Sequence, residues 1–155
     1  MTRKSLTDSH ATLGALLRRP YEWLSAVMYP ELAARGFDDV RPAYSAVLRN
    51  LPASGARVSD LAAHAGMTKQ SMGYLVDQMQ ASGLVDVTPD PQDRRANTVR
   101  LTARGEQVVA TGIELSKHFE AHLAKLVGPR KIGQLRTILL EIRSKLDEES
   151  SPPPR

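Results

Sequence analysis

The sequence contains no cysteine, and this absence removes several classes of protein at once. Without thiols the chain forms no disulfides, holds no thiolate metal site and carries no cysteine nucleophile or thiol-based redox switch. It also has no run of about 18 apolar residues, the length that a membrane-spanning helix needs. Residues 1–13 lack the apolar core of a signal peptide. We therefore expect a cytoplasmic protein with no membrane partner.

The composition is that of a folded, water-soluble chain. Hydrophobic residues make up 41% and charged residues 25% of the 155 residues, which is a normal balance for a globular domain. This length suits one domain with a hydrophobic core better than two. The formal net charge of +4 permits a polyanionic partner without requiring one. We expect a single domain over residues 1–155. Because composition does not indicate its function, the function has to be inferred from the pattern of residues along the chain.

The first part of the chain predicts a long amphipathic helix. Its apolar residues recur at spacings of three and four: Leu13, Leu16, Leu17, Tyr21, Leu24, Val27 and Met28. Pro20 and Pro30 interrupt this pattern, and each removes a backbone donor. The helix is therefore expected to be bent or split, and to close at Arg35-Gly36.

The next segment predicts three helices joined by short turns. One opens with Pro42 in its first turn and runs through Leu51. A short third helix, with Ser59 as its cap, stops at Gly66, and the hydroxyl of Thr68 can cap the helix that follows. Two helices are thus joined by a tight turn.

The helix after Thr68 predicts one buried and one exposed face. Its apolar residues Met72, Leu75, Val76 and Met79 form a stripe, and Gly83 ends the helix. Two short β-branched or alternating runs follow, Leu84–Thr88 and Asn97–Leu101, on either side of a turn-rich tip. This pattern indicates a β-hairpin.

Two more helices complete the predicted chain. Thr102 caps a long helix that ends near Gly128, and Pro129 fits the first turn of the last helix. Apolar residues of the last helix are spaced 3, 4, 3 and 4, as in helices that pack side by side: Ile132, Leu135, Leu139, Ile142 and Leu146. Residues 148–155 are acidic and then proline-rich, and we expect them to be disordered.

The order of these elements predicts a mainly α fold with a small β-hairpin. A winged helix-turn-helix over about residues 42–101 would be flanked by N- and C-terminal helices over about 10–35 and 102–147. In such a unit the capped helix can lie in a major groove of DNA while the hairpin reaches a neighbouring groove.

The sequence resembles the multiple antibiotic resistance regulator (MarR) family of transcription regulators. The most specific part of the resemblance is Asp90-Pro91-Gln92-Asp93-Arg94-Arg95-Ala96, followed by Val99-Arg100-Leu101-Thr102 and Gly105. Further matches are Leu61-Ala62, Gly66-Met67-Thr68-Lys69, and Leu75-Val76-Asp77 before Gly83-Leu84-Val85. Many family members carry an arginine soon after that last motif, whereas this chain has Asp86-Val87.

The resemblance implies a homodimeric, sequence-specific DNA-binding regulator and not an enzyme. The outer helices of two subunits would form the dimer, and the two winged domains would face adjacent major grooves of a pseudo-palindromic operator. Family members are mostly repressors, so we expect repression that a small aromatic or anionic effector relieves, with no cofactor. A metal-responsive regulator and a constitutive architectural DNA-binding module without an effector remain alternatives.

The candidate DNA-binding residues lie on the capped helix and on the hairpin tip. By resemblance they are Thr68, Lys69, Gln70, Ser71, Tyr74 and Gln78 on the helix, with Arg94 and Arg95 on the wing. Gln70 could read adenine, and Ser71 could contact a base edge or a phosphate. The arginine matching Arg95 enters the minor groove in this family, and the aspartate matching Asp93 shapes the wing. A merely solvated helix face is the alternative interpretation.

Two further groups are weaker candidates. Trp23 and Tyr44 fall near the cleft where family members bind effectors, although aromatic residues there are more often part of the core. Glu114, His118 and His122 follow one another at every fourth position of one helix, a spacing that metal ligands can use. Because no cysteine assists them, an exposed or dimer-facing polar stripe is the preferred interpretation, and no metal is predicted.

Overall fold

A computed structural model describes residues 12–89 and 97–150 of the chain. The elements follow in the order α1 (Leu13–Ala34), a 3-10 turn (Pro42–Tyr44), α2 (Ser45–Leu48), β1 (Ala56–Arg57), α3 (Val58–His64), α4 (Lys69–Ala81), β2 (Val85–Pro89), β3 (Asn97–Leu101), α5 (Ala103–Val127) and α6 (Pro129–Ser150). The predicted class, a mainly α winged helix-turn-helix fold with a small β element, is confirmed.

The described chain forms two compact units, one ending at Glu114 and one beginning at Leu115. Helix α5 contributes its first half to the first unit and its second half to the other. Within the described residues, no helix has the length and apolar character that crossing a bilayer requires. The single domain over residues 1–155 stays a prediction.

Helix α1 is one continuous element, so it is not split at the prolines, and the alternative of a bent helix stays a prediction. It includes both Pro20 and Pro30, and Thr12 caps its first turn. The prolines leave the carbonyl groups of Leu16 and Ala26 without their helical donors. Both of those residues are exposed, so water can satisfy the two carbonyls. The helix closes at Arg35-Gly36 as expected.

The helix-turn-helix is built by α3 and α4, which pack against each other. Gly66 ends α3 with a positive φ of 63°. Its N–H donates to the carbonyl of Ala63, and the next N–H, of Met67, donates to the carbonyl of Ala62. This pair of bonds closes a helix through a left-handed residue, a position that favours glycine. The tight turn before Thr68 is confirmed.

Two helix boundaries differ from the sequence prediction. The helix that opens at Pro42 begins as a 3-10 turn, and its α-helical part ends at Leu48 rather than running through Leu51. Residue Arg57, not Ser59, occupies the cap position of α3. The hydroxyl of Ser59 instead donates to the carboxylate of Asp60. These are short helices, in which packing outweighs local capping signals.

The β element is a three-stranded antiparallel sheet and not only a hairpin. Strand β3 lies in the centre, with β2 on one side and the two-residue β1 on the other. Gly55, at a φ of 86°, brings β1 close to β3, because a Cβ atom there would lie 2.8 Å from the carbonyl oxygen of Val99. The second strand begins at Val85, so Leu84 belongs to the turn that precedes it.

The core of the first unit lies between α4, the sheet and the helices around them. Its largest fully buried side chains are Leu61, Met72, Met79, Leu84, Val47, Val76, Val85 and Val99. Three of them come from α4, which therefore has its position fixed by packing along its whole length.

The second unit contains the second half of α5 and all of α6. Helix α6 begins at Pro129, as predicted, but it continues to Ser150. The expected disorder is therefore wrong for residues 148–150, and residues 151–155 lie outside the described chain. An apolar groove of about 370 Å³ runs between the two helices, lined by side chains that include Phe119, Leu123 and Leu139. Arg136 and Glu120 form an ion pair at this groove.

Candidate nucleic-acid interface

The N-terminus of α4 is closed by a reciprocal pair of hydrogen bonds. The Oγ1 atom of Thr68 accepts from the backbone N–H of Ser71 at 3.1 Å, and the Thr68 hydroxyl donates to Oγ of Ser71 at 2.8 Å. The predicted cap is thus confirmed. Since the Ser71 oxygen accepts this bond, its own hydroxyl hydrogen remains available for an external acceptor such as a phosphate or a base oxygen.

The two faces of α4 differ in burial. Met72, Val76 and Met79 are buried against the core, as the sequence predicted, whereas Leu75, the fourth residue of the predicted stripe, is half-buried and lines the groove beside α4. On the other side Lys69 and Gln70 are exposed, and Tyr74 shows 62% of its surface. An aromatic side chain so exposed makes little contribution to packing, and it is suited to contact a partner.

Three candidate residues of α4 line one groove. Gln70, Tyr74 and Gln78 are spaced by four residues along the helix, and Gln78 is half-buried. A groove of about 600 Å³ borders them, lined by Gln70, Ser71 and Tyr74 together with Ala43, Ser45, Ala46, Met67 and Leu75. The structure therefore brings Gln70, Ser71 and Tyr74 to one concave, solvent-facing side of the first unit, whereas Thr68, Lys69 and Gln78 do not line this groove.

The electrostatics of α4 favour an anion at its first turn. Lys69 and Asp77 are the charged residues of this helix, so their charges cancel. Backbone N–H groups of the first turn have no acceptor within the helix, and together with the helix dipole they attract negative charge. Binding through α4 would depend on polar side chains and on these amides rather than on net charge.

The wing residues lie partly outside the described chain. Asp93, Arg94 and Arg95 fall within residues 90–96, so their predicted roles are not tested. At the base of the wing, Asp86 on β2 is paired with Arg100 on β3 in the antiparallel register. The position where many family members carry an arginine thus has an acid whose cross-strand neighbour is an arginine.

The two effector candidates occupy different environments. Tyr44 is 2% exposed and belongs to the core, whereas Trp23 on α1 is 40% exposed. The groove beside α4 is lined by neither of them. Their role in effector binding stays a prediction.

The three candidate metal ligands are not brought together. Glu114 accepts a hydrogen bond of 3.1 Å from Arg35. Among residues 12–89 and 97–150, which include His118 and His122, no group of three histidine or acidic side chains is close enough to hold a metal ion.

A cluster around Arg104 was missed by sequence reasoning. Its guanidinium donates to both carboxylate oxygens of Asp39, at 2.7 and 3.1 Å, and to the carbonyl oxygen of Ser82 at 3.0 Å. The guanidinium also stands 5.6 Å from the ring centre of Phe37. The hydrogen bond from Arg104 holds the pKa of Asp39 below its usual value, and the same bond raises the pKa of Arg104.

Comparison with known proteins relates the middle of the chain to a family of regulators. Residues 38–96 match the model of the MarR family, which spans the helix-turn-helix and β2. A crystal structure of MarR superposes with a TM-score of 0.77 over 94% of this chain and 97% of that chain, at 20% identity. Residues 38–96 are thus similar to the MarR family, and the chain shares the fold of MarR. The family and the relatives found are transcription regulators and not enzymes, as expected from the sequence.

The proteins to which this chain is similar are named both as activators and as a repressor. The transcriptional activatory protein BadR of Rhodopseudomonas palustris is 36% identical over 63 residues, which are 41% of this chain and 36% of BadR. The activator of exopolysaccharide II synthesis ExpG of Rhizobium meliloti is 23% identical over 72% of this chain and 58% of its own length. The repressor CouR, solved on a 23-mer DNA duplex, has a TM-score of 0.68 at 23% identity over 92% of this chain and 99% of its own. The chain spans less than two thirds of either curated relative.

Proposed function

We propose that this protein is a sequence-specific DNA-binding transcription regulator that places α4 in the major groove. The observation that carries the proposal is the contrast between the buried stripe of α4 and its exposed N-terminal face of Lys69, Gln70 and Tyr74. Packing fixes the direction of the helix, and the exposed face carries the amide and hydroxyl groups that read base edges. The match of residues 38–96 to the MarR family model supports this proposal.

The DNA-binding form is proposed to be a homodimer. Helix α6 exposes Leu135, Ile138, Leu139, Leu140, Ile142 and Leu146, and α1 exposes Leu13, Leu16 and Leu17. Apolar surface repeated along whole helices is costly in water, and a second copy would bury it. Two copies of α4 would then contact two half-sites about one helical turn apart on pseudo-palindromic DNA.

Repression that a small aromatic or anionic effector relieves is the proposed mode of regulation. The repressor name of CouR supports this sign, and the activator names of BadR and ExpG make activation the outcome to test against. Transcription from a promoter that carries the selected site decides the sign: addition of the protein should lower the amount of transcript, and an increase would show an activator.

Selection from random duplex DNA tests DNA recognition directly. The full chain is incubated with a pool of random duplexes, and bound DNA is amplified over several rounds and sequenced. We expect a two-fold repeated motif, and footprinting should show two protected major-groove segments on one face of the DNA. A selected pool without sequence enrichment would contradict sequence-specific recognition, and a single unrepeated motif would contradict the dimer.

A panel of aromatic carboxylates and zinc tests the control of binding. Each compound is titrated into the complex of the protein with the selected site, and release is followed by fluorescence anisotropy. Release by a carboxylate supports control by an effector. Loss of that release in Trp23→Ala would place the effector-binding site near α1. Release by zinc that His118→Ala abolishes would favour the metal-responsive alternative. Binding that no compound changes would favour a constitutive module.

A further inference from the structure

Arg104 joins two segments that lie far apart in the sequence. It sits in the first turn of α5 and contacts Asp39, which follows α1, as well as Ser82, which caps the C-terminus of α4. The Nη1 and Nη2 atoms of Arg104 donate to the two carboxylate oxygens of Asp39. Nη1 also donates a hydrogen bond to the carbonyl oxygen of Ser82. The guanidinium of Arg104 therefore links the segment after α1 to the C-terminal end of α4, the candidate recognition helix.

The position of Ser82 at the C-terminus of α4 makes a hydrogen bond from a cation favourable. The C-terminus of a helix carries partial negative charge on carbonyl groups without helical donors, and a cation there is favourable. Gly83 and Leu84 complete the end of α4, since their N–H groups donate to the carbonyls of Gln80 and Met79, both at 2.9 Å. The guanidinium thus binds next to the hydrogen bonds that fix where α4 stops.

The same corner is held by close backbone packing. The hydroxyl of Thr102 donates to the carbonyl of Gly83 at 2.6 Å, and the N–H of Thr102 donates to the carbonyl of Leu84 at 3.1 Å. A Cβ atom on Gly105 would lie 2.1 Å from that Leu84 oxygen. The start of α5 is therefore seated on the end of α4 independently of Arg104, and the guanidinium adds the link to Asp39.

We propose that Arg104 is a positioning residue for DNA recognition, which fixes the direction of α4 by tying its C-terminus to the segment that follows α1. This inference rests on the proposed function. Base contacts at the first turn of α4 require that helix to be aimed correctly, whereas phosphate contacts tolerate small changes of direction. Loss of the link should therefore weaken binding to the selected site more than binding to random DNA.

Arginine and lysine are not equivalent in this role. Lysine would keep a positive charge near Asp39, but a single ammonium has no planar fork to hold Asp39 and Ser82 in one geometry. Arg35 supplies a matched control, because it forms a similar pair with Glu114 at 3.1 Å and its side chain is exposed to nearly the same extent, 35% against 34%. The Arg35 pair joins the end of α1 to α5.

The test compares Arg104→Met, Arg104→Lys and Arg35→Met in the full chain. Affinities for the selected duplex and for a scrambled duplex are measured well below the melting temperature of each variant. We expect Arg104→Met to lose on the order of tenfold in the ratio of the two affinities, with little recovery in Arg104→Lys and no change in Arg35→Met. An unchanged ratio in Arg104→Met, full recovery in Arg104→Lys or an equal loss in Arg35→Met would each overturn the proposal.

Hydrogen exchange separates this inference from the proposed function. In Arg104→Met the amides of Gly83 and Leu84 should exchange faster, whereas those of Gly66 and Met67, which close α3 by the same pattern of bonds, should not change. If wild type shows no DNA preference, the proposed function fails while the exchange result still reports the link. Unchanged exchange at Gly83 would overturn the link itself, and Asp39→Asn repeats this measurement if Arg104→Met does not fold.

Discussion

Helices α4 and α6 carry similar apolar spacing, but their surroundings differ. In α4 the residues Met72, Val76 and Met79 are buried within the first unit. The α6 seam is the set of apolar residues spaced 3, 4, 3 and 4: Ile132, Leu135, Leu139, Ile142 and Leu146. Among them Ile132 is buried, and the four residues after it are exposed. The spacing of apolar residues predicts that a helix has an apolar face, but it does not predict which surface packs against that face.

This difference assigns the two helices different functions. Because α4 is held by its own core, its opposite face is free to carry polar groups that contact a partner of another kind. Helix α6 has exposed apolar surface, and the proposed homodimer would cover it with a second copy of the chain. We expect mutations in α4 to change either folding or DNA recognition, and mutations along the α6 seam to change association.

Truncation of the buried stripe of α4 should have the largest effect. Met79 is fully buried, and Met79→Ala removes its contacts and leaves a cavity, at a cost of about 2–5 kcal/mol in the free energy of unfolding. Urea denaturation at two protein concentrations measures this cost, which should not depend on concentration. A cost below that of an exposed control, Gln80→Ala, would contradict the buried position of this stripe.

Truncation of the α6 seam should instead weaken dimerisation. Leu139 is 39% exposed, so Leu139→Ala removes apolar surface that we expect the partner to cover. Sedimentation equilibrium should show a dimer dissociation constant raised by about tenfold. Glu141→Ala is the control on the same helix, because Glu141 lies off the seam. Equal effects in the two variants, or a wild type that is monomeric, would contradict the role of the α6 seam in dimerisation.

Sequence recognition by the exposed face of α4 is tested by Gln70→Ala. We expect a loss of about 1–3 kcal/mol in binding to the selected site and little loss on random DNA, because a base contact is removed and no phosphate contact is. Gln80→Ala makes the same chemical change near the other end of the helix and should leave both affinities unchanged. A uniform loss on all DNA would mean that Gln70 contacts phosphate.

The wing should behave in the opposite way to Gln70. Arg95→Ala is expected to weaken binding to the selected site and to random DNA together, and to reduce the slope of log affinity against log salt by about one. Asp93→Ala is the companion variant, and we expect weaker binding from a looser hairpin although an anion is lost. Measurements over a salt series with circular dichroism as a fold check decide both, and unchanged binding in folded Arg95→Ala would exclude its role.

Local signals made most helices predictable from the sequence. Thr68, Gly66 and Gly83 act within one helical turn of their own positions, and each lies where the sequence placed it. Long apolar repeats likewise located α5 and α6. Because the buried stripe of α4 fixes which residues lie on its opposite face, the α4 part of the candidate site was also predictable from the sequence.

Contacts between distant residues were not predictable in this way. Strand β1 is two residues long and exists because Ala56 pairs with Val99, a partner with no local signal near β1. Arg104 and Asp39 are 65 residues apart, and nothing in either segment indicates the other. The continuation of α1 through Pro20 also depends on exposure to water, which a proline pattern alone does not reveal.

The smallest predicted effect concerns the pH dependence of the Arg104 cluster. The hydrogen bond from Arg104 lowers the pKa of Asp39 in the folded protein, so the folded state binds fewer protons at this site than the unfolded chain. The resulting stabilisation is complete above the unfolded pKa of about 3.9 and is lost as the pH falls through the lower folded value. The side chain of Asp39 is 36% exposed, and solvent screening keeps the contribution at about 1 kcal/mol or less.

Asp39→Asn should therefore be less stable than wild type near neutral pH, and the difference should shrink below about pH 4. Urea denaturation across this range measures it, with Asp77→Asn as a control that removes an exposed carboxylate of α4 outside the cluster. A difference that stays constant with pH would mean that the substitution acts through packing and not through the charge of Asp39. A difference that grows on acidification would contradict the lowered pKa, because it would require Asp39 to bind its proton more tightly in the folded state.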